Sequence, residues 1–215
     1  YQAKSFVIAT GSTPWIPPPY RQLGDRMLTT DQIFELHTLP KSLLIVGAGV
    51  IGIELALAFA KLGTRVTVVE LDGRLAGLAD PLIRASAYEV FSCELDLNTK
   101  HQLSSVERQG EQVHLRFTDD AGRERDELFE YALVATGRRP TLTGFGLEEA
   151  GLGPLTELPA ILEQATGQLG DTGFFIAGDA SGTRTLLHEA GHEGRIAGKN
   201  AARYPEAPVS EKRMT

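Results

Sequence analysis

A chain of 215 residues can form one large domain or two small ones around a sizeable hydrophobic core. Its formal net charge of -7 at pH 7 and its sequence pI near 5.3 argue against a nucleic-acid-binding surface. Its one cysteine, Cys93, excludes an internal disulfide and predicts an intracellular, cytoplasmic location.

The chain opens with a short strand and a connector. Residues 5–10 are predicted to form a buried strand that leads into a glycine turn. The prolines between residues 14 and 19 argue against a helix or a central strand there, so this segment is predicted to be a connector. Asp31 is predicted to cap a short helix that ends near His37.

Residues 43–70 are the stretch around which the rest of the chain is organised. Leu43 to Val46 are continuously apolar, as in a strand buried on both faces. Three glycines follow in the G-x-G-x-x-G spacing: Gly47, Gly49 and Gly52. The first permits a sharp turn, the second lets a pyrophosphate approach the backbone, and the third lets the next helix pack close to the strand. The free amides of a helix over residues 50–62 could then hold a diphosphate.

A second strand, predicted at residues 65–69, ends in the acidic residue Glu70. Glu70 lies 18 residues after Gly52, where the ribose 2′-hydroxyl of NAD needs a hydrogen-bond acceptor. The combination predicts dinucleotide binding, and the alternative is a glycine turn kept only for packing. Glu54 and the three glycines also argue against a membrane span in this apolar stretch.

The remainder is predicted to alternate between short strands, turns and helices. Asp80 is predicted to cap a helix that starts at Pro81 and ends at Phe91. The other predicted elements are strands at 94–98 and 101–108, a hairpin over 112–129, a buried strand at 131–136, a loop over 141–170, a strand at 173–177, a helix at 186–203 and a polar tail at 205–215.

Six segments, in order, resemble the FAD- and NAD-dependent pyridine nucleotide-disulfide oxidoreductases, and most of all their dihydrolipoamide dehydrogenase branch. They are VIATGSTP, LPKSLLIVGAGVIGIELALAFAKLG, VTVVELDGRL, ALVATGRRP, FFIAGDASG and LLHEAGHEGRIAGKNAA. The resemblance implies an α/β fold in which a Rossmann-type NAD-binding domain, residues 37–141, is inserted in an incomplete FAD-binding domain. The FAD-domain remnants would be residues 1–36, with the connector, and residues 142–203. Residues 204–215 would lead toward a dimerisation domain.

The resemblance also implies a fragment. The family's first glycine-rich unit, its redox cysteine pair and its dimerisation domain with the catalytic histidine have no counterpart between Tyr1 and Thr215. The full-length enzyme, a homodimer, would pass a hydride between NAD(H) and FAD and electrons to a dithiol or disulfide. The fragment alone would be inactive, and no catalytic residue is assigned to it. Cys93 matches neither redox cysteine and is expected to be a buried structural thiol.

The resemblance assigns two sets of cofactor-binding residues. For NAD, the glycines would hold the pyrophosphate and Glu70 the adenosine ribose. Glu54, on the first helical turn, would lie near the nicotinamide, Val50 would replace a gating tyrosine, and Gly137 and Arg138 would belong to a closing loop. For FAD, the expected contacts are the turn at Thr10 and Gly11, the pair Gly178 and Asp179 against the ribityl chain, and the helix that begins at Leu187.

Other readings stay open. One is a flavoprotein reductase without redox cysteines, such as an NADH oxidase or a ferredoxin reductase, and another is a stand-alone NAD-binding module. Residues 188–192, His-Glu-Ala-Gly-His, also match the H-E-x-x-H signature of zinc hydrolases. Gly191 weakens that helix, and the same residues fit a flavoenzyme helix as His188, Ala190, Glu193 and Gly194, so no metal site is expected.

Overall fold

The computed structural model describes residues 2–183 and 185–210. The strands are β1 (Phe6–Ile8), β2 (Ser12–Pro14), β3 (Met27–Leu28), β4 (Ser42–Val46), β5 (Arg65–Val69), β6 (Asp96–Asn98), β7 (Gln102–Gln109), β8 (Gln112–Thr118), β9 (Glu124–Phe129), β10 (Tyr131–Val134), β11 (Arg138–Pro140), β12 (Leu162–Glu163), β13 (Gln168–Leu169) and β14 (Phe174–Ile176). The α-helices are α1 (Val50–Lys61), α2 (Pro81–Ser92), α3 (Leu158–Ile161) and α4 (Leu187–Arg203). Shorter 3₁₀ helices span Pro18–Arg26, Ile33–Glu35, Leu155–Glu157 and Gly178–Ser181, and a π-helical turn spans Glu148–Leu152.

The chain divides into two compact units. The central unit spans Pro14–Gly137, and the flanking unit comprises the described residues up to Thr13 and from Arg138 onward. The central unit therefore includes residues 14–36 in addition to residues 37–137 of the predicted insertion, and residues 138–141 belong to the flanking unit. The predicted domain bounds, which were set by resemblance, stay a prediction.

The central unit is built on a five-stranded parallel sheet with the order β3-β10-β4-β5-β6. Helix α1 connects β4 to β5, and α2 connects β5 to β6, which gives the predicted Rossmann-type unit. The chain leaves β4 on one side through β5 and returns to its other side as β10. This reversal places a topological switch point at the carboxyl ends of β4 and β10, where open α/β sheets bind ligands.

Strand β4 is buried along its whole length, as its apolar run predicts. Alternate residues pack on opposite faces of the sheet. Leu43 and Ile45 join a core with α1, whereas Leu44 and Val46 join a second core with aromatic residues of the next sheet. Of the helices in the described ranges, none combines the length and apolarity that a bilayer crossing requires.

A three-stranded antiparallel meander, β7-β8-β9, separates β6 from β10 in the chain. The predicted turn between β8 and β9 is present, and the Asp119 carboxylate accepts hydrogen bonds from the backbone amides of Ala121 and Arg123. Alternate residues of β8 point into the second core, including Val113, Leu115 and Phe117. The meander thus covers one face of the parallel sheet, and its other face carries charged side chains.

The flanking unit contains a small mixed sheet with the order β1-β14-β13-β12. Strands β1 and β14, which are far apart in the chain, pair in parallel. Helix α4 packs on β14 through Ala197 and Phe175. Strand β2 pairs with β11 in a two-stranded ribbon. Strands near residues 5–10 and 173–177 are confirmed, although each regular strand is only three residues long. The predicted burial of the first strand is wrong, because Phe6 and Val7 are exposed and only Ile8 is buried.

Three other local predictions are wrong. Residues 141–170 are not a plain loop, because they form the π-helical turn, α3, β12 and β13 and bury Leu147, Leu152 and Leu169. The proline-rich segment does enter a helix, since a 3₁₀ helix begins at Pro18, where proline's fixed φ fits a first turn. The short helix near Asp31 is a single 3₁₀ turn at Ile33–Glu35, and Gln32 occupies its cap position.

Candidate functional site

The glycine turn after β4 is built by close backbone contacts. Gly47 has φ of +105°, which favours glycine, and a Cβ there would lie 2.6 Å from the Ala135 carbonyl oxygen. A Cβ on Gly52 would lie 2.0 Å from the Gly47 carbonyl oxygen. Both positions therefore require glycine for packing of the turn against α1 and the end of β10.

Gly49 differs from the other two glycines. It occupies the N-cap position of α1, and no side chain of a described residue caps that helix. Apart from its two chain neighbours, an added Cβ would meet no atom of the described residues within 4 Å. The first amides of α1 have no intrahelical acceptor, and they carry the positive end of the helix dipole. Val50, the first helical residue, is 52% exposed. The turn therefore leaves open space in front of a set of backbone donors, which suits the diphosphate of a dinucleotide.

Glu70 follows β5 and faces this turn. Its Oε2 accepts a hydrogen bond of 3.1 Å from the Ala48 amide, and its Oε1 accepts one of 3.0 Å from the Asp72 amide. An ionised carboxylate has about four acceptor positions, so both oxygens can still accept hydrogen bonds from hydroxyl groups. The predicted proximity of the acid to the glycine turn is present in the structure.

The carboxyl end of β10 completes this group at the switch point. The Ala135 amide donates to the Val46 carbonyl at 2.8 Å, so residues 135–137 run beside the glycine turn. Gly137 is exposed, and its carbonyl accepts from the Trp15 amide at 2.9 Å. Thr136 donates through its hydroxyl to the Trp15 carbonyl at 2.7 Å. These bonds fix the start of the predicted closing loop.

Two other residues depart from their predicted settings, and the expected role of a third, Arg138, stays a prediction. Glu54 is exposed and lies four residues after Val50, so it belongs to the second turn of α1 and not to the first. Cys93 is exposed at the end of α2, where its Sγ donates to the Glu89 carbonyl at 3.3 Å, and it is not a buried thiol. Arg138, predicted beside the nicotinamide, has its guanidinium bonded to Ser12 in the flanking unit.

The flanking unit brings together the residues predicted to contact FAD. Thr10 donates through its hydroxyl to the Thr141 carbonyl at 2.5 Å, and the Gly11 carbonyl accepts from the Thr141 amide at 2.9 Å. Asp179 Oδ2 accepts a 2.7 Å hydrogen bond from Ser12. Gly178 precedes Asp179 with φ of +66°, and a Cβ there would lie 3.3 Å from Ala190 of α4.

A buried glutamate on α4 holds the loop that carries Asp179. Glu193 is only 6% exposed, and its Oε2 accepts from the Gly178 amide at 2.9 Å. It also accepts from Ser181 at 3.1 Å and from Thr183 at 2.9 Å. Sequence reasoning placed Glu193 and Ser12 within family motifs but assigned them no contact, because their partners lie far away in the chain.

In the part of the chain that the structure describes, no group of three or more His, Cys, Asp or Glu side chains converges, at the H-E-x-x-H segment or elsewhere. Glu189 is buried, His188 is exposed, and the Nε2 atom of His192 is buried without a hydrogen-bond partner among the described residues. The helix instead serves the flanking unit through Glu193, as the alternative reading of this motif implies.

Sequence reasoning gave no role to His101, which lies between β6 and β7. It is 3% exposed, packs edge-on against Phe117, and neither ring nitrogen has a partner of hydrogen-bond geometry among the described residues. Burial lowers the pKa of His101, opposed in part by Glu70 and Asp120. His101 is therefore a neutral side chain beneath the loops that flank Glu70.

Comparison with known proteins agrees with this geometry. The family model described as "Pyridine nucleotide-disulphide oxidoreductase" matches residues 1–194. The dihydrolipoyl dehydrogenase of Chlamydia trachomatis is 31% identical over 208 residues, covering 95% of this chain and 43% of the relative. A mercuric reductase of Streptomyces lividans is 38% identical over 152 residues, covering 70% of this chain and 32% of the relative.

Two solved structures are similar as well. LpdA of Mycobacterium tuberculosis has a TM-score of 0.75 and 32% identity, covering 94% of this chain and 43% of that protein. The flavoprotein disulfide reductase RclA of Escherichia coli has a TM-score of 0.78 at 21% identity, covering 96% and 46%, and its likeness concerns the fold alone. The chain spans less than half the length of these relatives. The predicted α/β fold class and family resemblance are confirmed, and the chain belongs to the pyridine nucleotide-disulphide oxidoreductase family.

Proposed function

We propose that this chain binds NAD(H) in its central unit and contributes to an FAD site in its flanking unit. It would act within a flavoprotein of the dihydrolipoamide dehydrogenase type that passes a hydride between the two cofactors and electrons on to a dithiol or disulfide. The observation that carries the proposal is the glycine turn at the switch point, with Gly49 open to a ligand and Glu70 facing the turn.

The central unit would hold a dinucleotide at its glycine turn. The amides at the start of α1 would hold the pyrophosphate in front of Gly49, because no side chain competes for them. Glu70 would accept hydrogen bonds from the adenosine ribose with the acceptor positions left free by Ala48 and Asp72. Val50 and Glu54, both exposed on α1, are proposed to face the nicotinamide half.

The flanking unit fits part of FAD. Asp179 offers a carboxylate oxygen, and the turn at Thr10 and Gly11 has open space at Gly11, where an added Cβ would meet no protein atom within 4 Å. The one G-x-G-x-x-G turn of the sequence lies in the central unit, so this unit supplies ribityl contacts and no second pyrophosphate cradle. FAD, when bound, accepts or returns the hydride, and these residues hold it in place.

Two wider features belong to the same proposal. Electron transfer to a dithiol or disulfide would use a cysteine pair other than Cys93, which is a single exposed thiol on α2. The full flavoprotein would act as a homodimer. Both follow from the resemblance to dihydrolipoyl dehydrogenases, of which this chain matches 43% of the length.

Calorimetric titration with NADH and with NADPH tests the central assignment. Glu70 can accept hydrogen bonds from ribose hydroxyls but repels a 2′-phosphate, so NADH should bind more tightly by about tenfold to a hundredfold. In Glu70→Gln, which keeps the size and removes the charge, the preference should shrink to about threefold or less. Arg74 is the control: it is exposed beside Asp72, and Arg74→Gln should preserve the preference. Equal or tighter NADPH binding by the unmodified chain contradicts the assignment.

A further inference from the structure

The hydroxyl of Ser12 lies between two charged side chains of the flanking unit. Arg138 donates from Nε to Ser12 Oγ at 2.7 Å, and Ser12 Oγ donates to Asp179 Oδ2 at 2.7 Å. A third bond, from the Arg138 guanidinium to the Ser12 carbonyl at 2.7 Å, anchors the arginine on the backbone. Arg138 and Asp179 follow Ser12 by 126 and 167 positions in the sequence, so the fold alone brings them to it.

The direction of this chain of hydrogen bonds is fixed by chemistry. A guanidinium only donates and an ionised carboxylate only accepts, whereas a serine hydroxyl does both. Because Arg138 donates to Oγ, the single Ser12 proton is left for Asp179. One oxygen of Asp179 is thereby committed within the protein.

The other oxygen is left available. Among the described residues, no side chain or amide is recorded as a donor to Asp179 Oδ1, and the residue is half-buried. The backbone before it is also fixed, because the Gly178 amide donates to the buried Glu193. Asp179 is thus held from its side chain and, through Gly178, from its main chain, and its Oδ1 accepts no hydrogen bond from a described residue.

We infer that Ser12 is a positioning residue for the flavin: with Arg138 it orients Asp179 so that Oδ1 accepts a hydrogen bond from a hydroxyl of the ribityl chain. The inference rests on the proposed FAD function and adds a residue outside the expected cofactor contacts. Without the Ser12 hydroxyl, the Asp179 carboxylate loses a charge-assisted hydrogen bond and can rotate. A smaller fraction of the molecules then holds the carboxylate in the orientation that binds the cofactor.

The test measures FAD dissociation constants by flavin fluorescence in the flavoprotein that carries this chain. Ser12→Ala should weaken FAD binding by about tenfold, the scale of one lost hydrogen bond to a charged group. Ser12→Thr keeps the hydroxyl and should bind within about twofold of the unmodified protein. Ser12→Cys, a weaker donor of similar size, should fall between them. Ser210→Ala is the matched control, because Ser210 is exposed in the same unit.

Two further measurements separate positioning from a general loss of structure. NADH affinity should stay unchanged in every variant, because the α1 amides and Glu70, proposed to hold its pyrophosphate and ribose, lie in the central unit. In an Asp179→Ala background, Ser12→Ala should have no additional effect on FAD binding, since its only route to the cofactor has been removed.

Each outcome has one meaning. Additive losses in the double variant, or Ser12→Ala binding FAD as tightly as Ser210→Ala, overturn the positioning role while leaving the proposed function intact. An unmodified protein that binds no FAD overturns the proposed function and the inference together. If Ser12→Ala also loses NADH binding, that variant has lost structure in general, and the comparison of Ser12→Cys with Ser12→Thr tests the inference instead. Equal FAD affinity in those two variants overturns the inference.

Discussion

At the scale of single residues, the three glycines of the turn have different physical roles, and a matched pair of substitutions separates them. Gly52→Ala would place a Cβ 2.0 Å from the Gly47 carbonyl, so the start of α1 must shift. We expect the free energy of unfolding to fall by about 1–3 kcal/mol or more. Gly49→Ala meets no protein atom and should cost less than about 1 kcal/mol, the scale of an altered helix cap.

For NADH binding, the substitution at Gly49 is the informative one. Gly49→Ala should keep its fold and still lose at least tenfold in NADH affinity, because its methyl group occupies the space proposed for the pyrophosphate. Urea denaturation and calorimetric titration of the same preparations give both quantities. If Gly49→Ala binds NADH as tightly as the unmodified chain, the cofactor does not pass in front of this residue.

A second prediction at this scale concerns His101 and pH. Its pKa is lowered in the folded state by burial, so below the ordinary value of about 6.5 the unfolded chain binds a proton that the folded chain does not. Stability should therefore fall as the pH drops from 7 to 5, by up to about 1.4 kcal/mol per pH unit. His101→Leu removes this titration and no hydrogen bond to a described residue, so its stability should vary less over that range.

Urea midpoints at several pH values check this, with His37→Leu as the control. His37 is exposed, so its replacement controls for the loss of a histidine side chain at the surface. Carboxylates such as Asp126, whose pKa is lowered by its hydrogen bond to His114, act at lower pH and do not mask the effect. Parallel profiles for the unmodified chain and His101→Leu would show that His101 is not the group responsible.

The roles of residues could be predicted from the sequence where the residues lie close together in a recognisable spacing. The glycines and Glu70 lie within 24 positions of one another, and their spacing alone specifies a turn and an acceptor. Ser12 could not be recognised in this way, since its partners follow it by 126 and 167 positions. Likewise, the burial of His101 depends on the later strand that carries Phe117. Long-range contacts of this kind leave no periodic signal in the sequence.

At the scale of secondary-structure elements, prediction succeeded where the apolar pattern was long. Strand β5 has its predicted bounds, and α1 and α2 end within one residue of theirs. It failed over residues 141–170, where the longest regular element has five residues and six glycines divide the segment. In that segment, burial of single leucines against the flanking sheet decides the structure, and no local propensity indicates it.

Helix α2 offers a test of local stabilisation. Asp80 accepts from the amides of Leu82 and Ile83 at 2.8 and 3.1 Å, and no residue of the helix is fully buried. Asp80→Ala should lower the free energy of unfolding by about 1 kcal/mol, which corresponds to roughly 2–4 °C in melting temperature for a chain of this size.

Asp80→Asn is the paired variant, because its side-chain oxygen can still accept hydrogen bonds from both amides. This variant should keep most of that stability. Circular dichroism during thermal unfolding measures the two midpoints. An alanine variant that melts together with the asparagine variant would show that the cap contributes nothing to the folded chain.

At the scale of the whole molecule, two units with separate cores explain how one chain can bind two cofactors. The residues proposed for NAD, apart from Arg138, lie within Pro14–Gly137, and those proposed for FAD lie in the flanking unit. The extent of the central unit was not predictable from motifs. Residues 14–36 belong to it because Tyr20, Leu23 and Leu28 are buried in its cores, which a proline-rich sequence does not indicate.

Hydrogen exchange in the presence of NADH tests this division. A ligand at a hundred times its dissociation constant stabilises the unit that binds it by about 2.7 kcal/mol, which slows exchange through unfolding of that unit about a hundredfold. Protection should rise in peptides from β4, α1 and β5. It should stay within about twofold in peptides from β14 and α4, because separate cores can open as separate cooperative units. The Gly49→Ala variant, expected to bind NADH poorly, supplies the control in which protection rises nowhere. Equal protection of both sets of peptides would mean that the two units unfold as one, and that the nucleotide stabilises the whole chain from a single site.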